Sequence, residues 1–366
     1  MLQGKSLTWL GRRHAKKVKG LYRAAVWGAS GMAGGEVLRI LAQHPSVEVA
    51  CAVSNSKKGQ FVWQVHPHLR ANFSNLAFCN TDEGLSTGAD IALLAVPHGT
   101  AVPIIESCLK KNMKVVDLSA DVRLSSSKDY EAWYGHSHPN PELLSKAIYG
   151  LPELHRDDIR DAVLVSGVGC NASCCILGLY PLALMGLIEE ARIEVRVGSS
   201  EAGASPTIGS HHPYRSRTLR VFEPFRHRHL AEILQELSLK ESAVTLTMSA
   251  VEIVRGVQML SHIRLSQKMS ERDIWQIYRK AYAGNPFLQL CPAKPAHLRF
   301  PDPKLVTGCN NAMTGFALHE DGRRMLVVTA IDNLMKGAAG TAVQAANLML
   351  GLAETEGLTM MPVYPV

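Results

Sequence analysis

The chain has 366 residues, of which 46% are hydrophobic, so it is long enough for two domains and too apolar to be disordered throughout. Its formal charge of +7 comes from 39 Lys and Arg against 32 Asp and Glu, an excess that by itself would suit nucleic acid. Seven of the basic residues lie within residues 1–23, which contain no acid, so the remaining chain is neutral by count. The chain after residue 23 therefore does not have the composition of a protein that coats nucleic acid.

The chain start and the cysteines indicate where the protein works. Residues 1–23 lack the apolar core of a secretion signal, and we interpret them as a disordered basic extension, with a transit peptide as the alternative. Eight cysteines in a chain without such a signal predict reduced thiols and a cytoplasmic location. Cys170, Cys174 and Cys175 do not have a usual zinc spacing, so we expect no metal site.

The first half of the chain alternates short apolar strands with helices, which predicts a doubly wound α/β domain over residues 24–169. The predicted strands cover residues 24–27, 47–53, 91–96, 115–118 and 162–165, and the first helix covers 36–41. The uncharged stretch 162–188 is long enough to span a bilayer. Its glycines and Pro181 instead favour a buried strand, a turn and a buried helix.

After Cys170 the pattern changes to longer strands and amphipathic helices, which predicts an α+β domain over residues 170–330. Its predicted strands cover residues 194–199, 243–251, 256–265 and 325–330, and its predicted helices cover 229–237 and 271–282. Ser270 is the expected N-cap of the second of these helices. The last segment, residues 331–366, contains a helix predicted over 338–350 that we expect to return to the first domain.

A glycine-rich loop with the spacing Gly28-x-x-Gly31-x-x-Gly34 joins the first strand to the first helix. Glycines at this spacing let the backbone approach a pyrophosphate, and the helix N-terminus offers free N–H groups and a positive dipole end. A glycine-rich turn without a ligand is the alternative, but the strand–loop–helix context favours a dinucleotide. The candidate cofactor-binding residues of this loop are Gly28, Ser30, Gly31, Met32, Ala33 and Gly34.

The end of the second strand predicts which dinucleotide binds. Proteins that prefer NAD usually place an Asp or Glu about 20 residues after the loop. Residues 53–58 contain no acid but carry Ser54, Lys57 and Lys58, whose hydroxyl and ammonium groups suit a 2′-phosphate. We therefore predict NADP(H) as the cofactor, with Ser54 and Lys57 among its contacts.

Cys170 is the candidate nucleophile. It follows a predicted apolar strand and opens an apolar helix, where the helix dipole favours a thiolate. A buried structural cysteine is the alternative, and Cys174 and Cys175 lie further into the helix. His229 and Glu232, three residues apart on one helix face, form the candidate proton-handling pair, with the carboxylate orienting the imidazole.

Residues 211–229 form a basic segment with five arginines, four histidines and one acid. Such a segment suits an anion site or a surface for an acidic partner, and His211 and Arg215 are its candidate substrate contacts. A solvated loop is the alternative. The interleaved aromatic residues keep single-stranded nucleic acid open as a third possibility, which we do not favour.

Seven motifs follow one another along the chain from residue 24 onward. They are Gly28-Ala-Ser-Gly-Met-Ala-Gly34, Ala95-Val-Pro-His-Gly99, Asp117-Leu-Ser-Ala-Asp-Val-Arg123, Tyr149-Gly-Leu-Pro-Glu153, Gly169-Cys-Asn-Ala-Ser173, His227-Arg-His229 with Glu232, and Asp332-Asn-Leu-Met-Lys-Gly337. Together they resemble the N-acetyl-γ-glutamyl-phosphate reductase family, part of the wider semialdehyde dehydrogenase group. The resemblance implies an NADP-binding Rossmann domain, a catalytic and dimerisation domain, and a homo-oligomer, either a dimer or a tetramer.

Four stretches, 169–173, 176–181, 210–213 and 270–284, are more similar to the lysine-pathway branch of that family. That branch reduces 2-aminoadipate 6-phosphate while its amino group is held on a small acidic carrier protein, which the basic segment would suit. The arginine-pathway reaction on N-acetylglutamyl phosphate, or both reactions, stays open. A non-catalytic NADP-binding redox sensor is the alternative from another class, and we expect neither a nucleic-acid nor a membrane partner.

The resemblance also implies a mechanism. Cys170 attacks the acyl phosphate to form a thioester, NADPH reduces the thioester to a semialdehyde, and His229 handles protons. The residues that it assigns to phosphate and substrate are Arg123, Asn171, Ser199, His211 and Arg215, and those that it assigns to the cofactor beyond the phosphate loop are Pro97, Asn333 and Lys336. Two departures from the family pattern are Val168, where a Pro is commoner, and Asn311, where a Tyr is expected.

Overall fold

Across residues 20–365, which a computed structural model describes, the chain forms two seven-stranded sheets. Of the predicted extension 1–23, residues 1–19 lie outside the part of the chain that the structure describes. The first sheet is entirely parallel in the order β3-β2-β1-β4-β5-β7-β6. Its strands are Tyr22–Trp27 (β1), Val47–Val53 (β2), Phe78–Cys79 (β3), Ile91–Leu94 (β4), Lys114–Asp117 (β5), Ile148–Tyr149 (β6) and Leu164–Ser166 (β7).

Helices cover both faces of this sheet, because its central strands are apolar on both sides. Along β1, Val26 points into a core shared with the first helix, whereas Trp27 points into a second core on the opposite face. The predicted Rossmann-type α/β arrangement is therefore confirmed. The helices of this half are Met32–Leu41 (α1), Val62–Val65 (α2), Thr81–Leu85 (α3), Val102–Lys110 (α4), Ser127–Tyr134 (α5), Pro141–Lys146 (α6) and Pro152–Asp161 (α7).

The second sheet is mixed, in the order β12-β13-β14-β11-β8-β10-β9. Its strands are Ile188–Val197 (β8), Leu219–Pro224 (β9), Val244–Val251 (β10), Val257–Leu265 (β11), Leu288–Leu290 (β12), Ala312–Leu318 (β13) and Arg324–Ile331 (β14). The remaining helices are Cys170–Leu184 (α8), His212–Arg215 (α9), His229–Leu237 (α10), Glu271–Tyr282 (α11) and Gly340–Met349 (α12). Ser270 caps α11 as predicted, with its hydroxyl accepting from the backbone N–H of Asp273 at 3.2 Å.

The uncharged stretch 162–188 forms β7, a turn and α8, as predicted. No helix within residues 20–365 is long and apolar enough to cross a membrane. Instead, α8 runs through the core of the second domain between the sheet and α10 and α11. Two buried tyrosines of α11 fasten it there, since the hydroxyls of Tyr278 and Tyr282 donate to the carbonyls of Gly178 and Leu177, both at 2.8 Å.

The last helix, α12, packs against the first sheet rather than the second. Its apolar residues share one core with α1, α7 and β1, and the Lys114 ammonium on β5 donates to the Met349 carbonyl at 2.6 Å. A π-helical turn, Met335–Ala339, leads into α12 from the end of β14. The chain therefore closes its first domain with its last helix.

Six of the eight cysteines are free thiols, but Cys51 and Cys79 form a disulfide. The prediction of reduced thiols is therefore wrong for this pair. The two residues lie on neighbouring strands, β2 and β3, with their Cα atoms 6.8 Å apart. Cys174 and Cys175, which a redox switch would require, are fully buried within α8, and this burial argues against the sensor alternative.

Candidate active site

Five loops meet at one edge of the first sheet, because the carboxyl ends of parallel strands all lie on the same side. The loops after β1, β2, β4 and β5 line this edge, and β7 ends there in the turn that begins α8. Pro97 lies in the exposed loop after β4, beside the glycine-rich loop. The backbone N–H of Gly99 donates to the Asp121 carboxylate at 2.6 Å, which joins the β4 loop to the β5 loop.

The glycine-rich loop has the geometry of a phosphate cradle. Gly28 has a φ of +67°, and a Cβ atom there would lie 2.1 Å from the carbonyl oxygen of Ala95, so only glycine fits. Gly31 is the N-cap of α1, no side chain caps this helix end, and its first turn contains no acid. Met32, Ala33 and Gly34 begin the helix. The open backbone N–H groups fit a dinucleotide phosphate.

The end of β2 adds polar groups beside this cradle. The hydroxyl of Ser54 lies 2.8 Å from that of Ser30, so both hydroxyls face one another next to the loop. Lys58 pairs with Glu83 at 2.8 Å, while Lys57 is exposed and makes no ion pair among residues 20–365. This set, a hydroxyl pair with one uncommitted ammonium group, fits the adenosine end of a dinucleotide that carries a 2′-phosphate.

Cys170 is the first residue of α8, directly after the N-cap Gly169. Its Sγ lies 3.8 Å from Asn171 Oδ1 and 3.9 Å from Glu201 Oε2. Burial raises the pKa of the Cys170 thiol above its ordinary value, and the nearby Glu201 carboxylate raises it further. Burial therefore acts against the predicted stabilisation of the thiolate by the helix dipole, and this shift of the pKa favours the protonated thiol.

His229 lies over the turn that precedes the nucleophile. A Cβ atom on Gly169 would lie 2.7 Å from His229 Nε2, so the absence of a side chain at Gly169 makes room for the ring. His229 is 5% exposed, and its Nδ1 has no hydrogen-bond partner among the described residues. Burial, together with the charges of His227 and Arg123, lowers the pKa of His229 well below its ordinary value. A neutral imidazole therefore stands beside Cys170 at neutral pH.

Glu232 has a different role from the predicted one. Its Oε1 lies 4.0 Å from His229 Nε2, too far for the hydrogen bond that would orient the ring. The fully buried carboxylate instead accepts from the Tyr149 hydroxyl at 2.7 Å and from the Gly169 backbone N–H at 2.8 Å. Glu232 thus fixes the turn that carries Cys170, and Tyr149 is a contributor that the motif alone did not assign.

Arg123 lies behind the site rather than in an open phosphate pocket. Its guanidinium donates to the carbonyls of Gly167 and Leu118, both at 3.0 Å, and Nη1 lies 3.4 Å from Glu232. The side chain is only 5% exposed. These contacts join the β5 and β7 loops, and the assignment of Arg123 to the leaving phosphate stays a prediction.

The side chains of Asn333 and Lys336 also bind other groups of the protein. The Asn333 amide accepts from the Gly256 N–H and donates to the Ser200 hydroxyl, both at 2.8 Å. The Lys336 ammonium is fully buried and pairs with Glu153 at 2.6 Å. Both side chains are buried and bound to other protein groups, and their contact with the cofactor stays a prediction. The next residue, Gly337, does reach Cys170, since a Cβ on Gly337 would lie 2.6 Å from Cys170 Cβ.

Glu201 is a site residue that the sequence reasoning missed. It lies in the short 3₁₀ turn Ser199–Ala202 after β8, where Ser199 is half-buried. Its Oε2 accepts from Asn171 Nδ2 at 3.0 Å, so Asn171 faces Glu201 as well as Cys170. The one available signal was an acid directly after a predicted strand, which is too common a pattern to single out.

The basic segment 211–229 lies beside the site, and its residues do not line the site together. His211 is exposed at the start of α9, while Arg215 donates to the Val197 carbonyl at 2.5 Å. β9 is an edge strand, and all six of its residues are exposed. Burial, together with the charges of Arg228 and Arg123, lowers the pKa of His98 to about 3. Arg228 is exposed at the start of α10, so it is an exposed cation near His98.

Fold and site together define a two-domain dinucleotide-dependent enzyme whose candidate nucleophile, Cys170, lies at the junction of its domains. Residues 23–162 match the family model for the semialdehyde dehydrogenase NAD binding domain, and residues 170–333 match that for the semialdehyde dehydrogenase dimerisation domain. The chain belongs to the semialdehyde dehydrogenase family, and it is therefore an oxidoreductase. The domain boundaries stay a prediction, with segments 1–23, 24–169, 170–330 and 331–366.

Curated relatives match nearly the full chain. A putative LysW-L-2-aminoadipate 6-phosphate reductase of Thermomicrobium roseum is 45% identical over 350 residues, covering 93% of this chain and 99% of the relative. A LysW-L-2-aminoadipate/LysW-L-glutamate phosphate reductase of Sulfurisphaera tokodaii is 44% identical over 354 residues, covering 94% of this chain and 100% of the relative. These relatives confirm the resemblance to the lysine-pathway branch.

Solved structures confirm the fold. Aspartate semialdehyde dehydrogenase II of Vibrio cholerae, complexed with ASA, superposes with a TM-score of 0.70 at 16% identity, covering 91% of this chain and 99% of that one. Aspartate semialdehyde dehydrogenase of Candida albicans, solved with NADP, gives a TM-score of 0.65 at 16% identity, covering 90% and 98%. At this identity the likeness extends to the architecture and no further.

Proposed function

We propose that this protein reduces a carrier-bound acyl phosphate, L-2-aminoadipate 6-phosphate linked through its amino group, to the corresponding semialdehyde with NADPH. The observation that carries the proposal is Cys170 at the start of α8, with the neutral His229 beside it, at the sheet edge that holds the phosphate cradle. The names of the full-length relatives support the substrate. N-acetylglutamyl phosphate, the arginine-pathway substrate, is the second candidate.

The side chains of this site suit two successive steps at one carbon. In the first, Cys170 Sγ bonds to the acyl carbon, the bond from that carbon to the phosphate oxygen breaks, and the thiol proton leaves with the phosphate. NADPH, when bound, supplies a hydride to the same carbon. The C–S bond then breaks, the aldehyde departs, and a proton from solvent restores the thiol. His229 lies where it can hydrogen-bond the reacting oxygen, and Arg228 where it can attract the phosphate.

The cofactor would be held by the glycine-rich loop and by the end of β2. Gly28, Gly31 and the first turn of α1 supply the backbone cradle, and Ser54 and Lys57 supply the groups that prefer a 2′-phosphate. We expect NADPH to bind at least about tenfold more tightly than NADH, as measured by quenching of protein fluorescence. Equal or tighter binding of NADH would contradict this assignment.

The basic segment 211–229 is the surface that we propose for an acidic carrier. β9 lies there as an exposed edge strand, and Arg220 projects from it between exposed apolar neighbours, Leu219 and Val221. Arg228 connects this surface to the site. Long-range attraction between a basic surface and an acidic partner accelerates their encounter, so binding of the carrier should weaken as salt rises. We also propose a homo-oligomer and a cytoplasmic location.

The decisive experiment offers the purified enzyme two substrates, carrier-bound aminoadipyl phosphate and free N-acetylglutamyl phosphate, with NADPH oxidation as the readout. We expect kcat/KM to be at least about 100-fold higher for the carrier-bound substrate, because only that substrate uses the basic surface. A preference for the free compound would assign the chain to the arginine reaction. Turnover of neither would refute the proposed function.

A further inference from the structure

The Glu201 carboxylate is placed to exchange a proton with the nucleophile. Among residues 20–365, the Cys170 sulfur makes two hydrogen-bond contacts, with Asn171 Oδ1 at 3.8 Å and with Glu201 Oε2 at 3.9 Å. A side-chain amide does not take up a proton at neutral pH, whereas a carboxylate does so readily. Glu201 is therefore the one base of this pair.

The position of Glu201 is fixed by its neighbours. Its Oε2 accepts from Asn171 Nδ2 at 3.0 Å, and the 3₁₀ turn that carries it is fastened to two other segments. The Ser200 hydroxyl donates to the Val254 carbonyl at 2.6 Å and accepts from the Asn333 amide at 2.8 Å. The hydrogen bond to the carboxylate and the two hydrogen bonds to its turn together fix the distance from Glu201 to the sulfur. A group that transfers a proton requires such a fixed position.

Charged groups from several elements surround this pair. Arg215 on α9 and Arg228 at the start of α10 act on Glu201, and Arg123 and Glu232 act on Cys170; Asn171 is the neutral group that contacts both. Because both arginines act on Glu201, they place positive charge near this carboxylate. We expect that charge to attract the departing phosphate toward the carboxylate that faces the thiol.

We propose that Glu201 accepts the Cys170 thiol proton as the sulfur attacks the acyl carbon and passes it to the departing phosphate oxygen. The S–C bond forms and the C–O bond to phosphate breaks in the same step, so no further acid is required. After the aldehyde leaves, Glu201 returns a proton from solvent to the sulfur. The timing of these steps rests on the proposed function, but the proton exchange between Glu201 and Cys170 does not.

Burial supports this exchange because it acts on both groups in the same direction. It raises the pKa of Cys170, and it also raises the pKa of Glu201 above the ordinary 4.5. A carboxyl group with a raised pKa takes up a proton from a thiol more easily than an ordinary one does. The state with a thiolate next to a protonated Glu201 has the same total charge as the resting state, so the two interconvert without a change in pH.

The direct test measures the alkylation of Cys170 by iodoacetamide against pH in the wild type and in Glu201→Gln, with Cys170→Ser as the background. In the wild type we expect two steps, one as Glu201 ionises and one as the thiol ionises, separated by a plateau. Glu201→Gln should show one step, at lower pH than the upper wild-type step, because the neighbouring negative charge is gone. A single wild-type step that the substitution merely shifts, or leaves unchanged, would overturn the proposal.

Turnover provides a second, independent readout. We expect Glu201→Gln to lower kcat about 100-fold or more and to remove the acidic limb of the pH profile of kcat/KM. Glu201→Asp, which keeps the carboxylate, should recover part of this loss, and Glu320→Gln, an exposed acid far along the sequence, should match the wild type. A rise in KM with kcat unchanged would make Glu201 a substrate contact and overturn the proposal. Because alkylation needs no substrate, failure of the proposed function leaves that test valid.

Discussion

The buried polar side chains around Cys170 divide into those that face the sulfur and those that hold its turn. Glu201 and Asn171 contact the sulfur, whereas Glu232, Tyr149 and Arg123 bind the backbone or one another. The second group acts through the position of Gly169 and the loops beside it. Substitutions there should change the geometry of the nucleophile rather than its chemistry.

Replacing Cys170 is the most direct test of its role as the nucleophile. We expect Cys170→Ser to lower kcat by a factor on the order of 10³ or more, because a serine hydroxyl in the same place ionises far less readily. Binding of NADPH, which uses the distant glycine-rich loop, should remain within about twofold of the wild type by fluorescence titration. Near-normal turnover would show that another group attacks the acyl carbon.

The two histidines at the start of α10, His227 just before it and His229 as its first residue, should differ in their effects. His229 lies over Gly169, whereas His227 accepts a hydrogen bond from the His229 backbone N–H at 3.2 Å and so positions its neighbour. We expect His229→Asn to lower kcat about 100-fold or more and His227→Asn to lower it less than about tenfold, in steady-state assays under saturating NADPH. Equal losses in the two variants would contradict the assignment of His229, rather than His227, as the residue that hydrogen-bonds the reacting oxygen.

The π-helical turn Met335–Ala339 is the element that closes over the nucleophile. Its Gly337 approaches Cys170 so closely that an added Cβ would lie 2.6 Å from Cys170 Cβ. We expect Gly337→Ala to lower kcat on the order of 100-fold by displacing the sulfur, with NADPH binding preserved. Gly20→Ala, where a Cβ meets nothing within 4 Å, is the matched control. Unchanged kcat in Gly337→Ala would mean that the turn moves aside freely.

Elements with strong terminal signals were predictable from the sequence. α10 and α11 have the bounds predicted, 229–237 and 271–282, and α11 carries the predicted cap at Ser270. β9, β12 and β13 were not predicted. β9 reads Leu219–Pro224 and is exposed throughout, so no alternation between buried and exposed positions marks it, and β12 has only three residues. Their pairing depends on neighbours far away in sequence.

Site residues were predictable where a motif carried them and not where only folding brings them together. Cys170 and the glycine-rich loop follow from local pattern. Glu201 lies 31 positions from Cys170, and no spacing rule connects the two. Lys336 is the converse case, since its motif suggests a cofactor contact, which stays a prediction, while its ammonium pairs with Glu153, 183 positions away. Long-range pairing of this kind is fixed by tertiary packing alone.

At the scale of the whole molecule, Arg255 joins the two domains through buried acids. Its guanidinium lies 2.6 Å from Glu36 on α1 and 2.8 Å from Asp332 at the end of β14. Burial raises the pKa of Glu36, but hydrogen bonds from Arg39 and Arg255 outweigh it and hold that pKa below 4.5. The cofactor helix and the segment that covers Cys170 thus share one cation.

Removing this cation should destabilise the fold. We expect Arg255→Met to lower the free energy of unfolding by about 3 kcal/mol in urea at pH 7, because the buried Asp332 then loses its cation and Glu36 keeps only Arg39. The difference from the wild type should shrink as the pH falls below 4.5, since Glu36, whose pKa is held below that value in the wild type, then takes up a proton. Arg192→Met, which removes an exposed pair with Glu190, should cost less than about 1 kcal/mol. Equal costs would contradict this account.

The position of α12 in the first domain has a consequence for the order in which the protein is made. The ribosome completes β7 at Ser166, but the helix that covers this sheet beside α1 ends only at Met349. At about 5–20 residues per second, roughly 10–40 s separate the two events. During that interval the nascent dinucleotide domain exposes the apolar surface that α12 later buries. The second domain therefore emerges, and is free to fold, before the first is finished, and only the last helix completes the first.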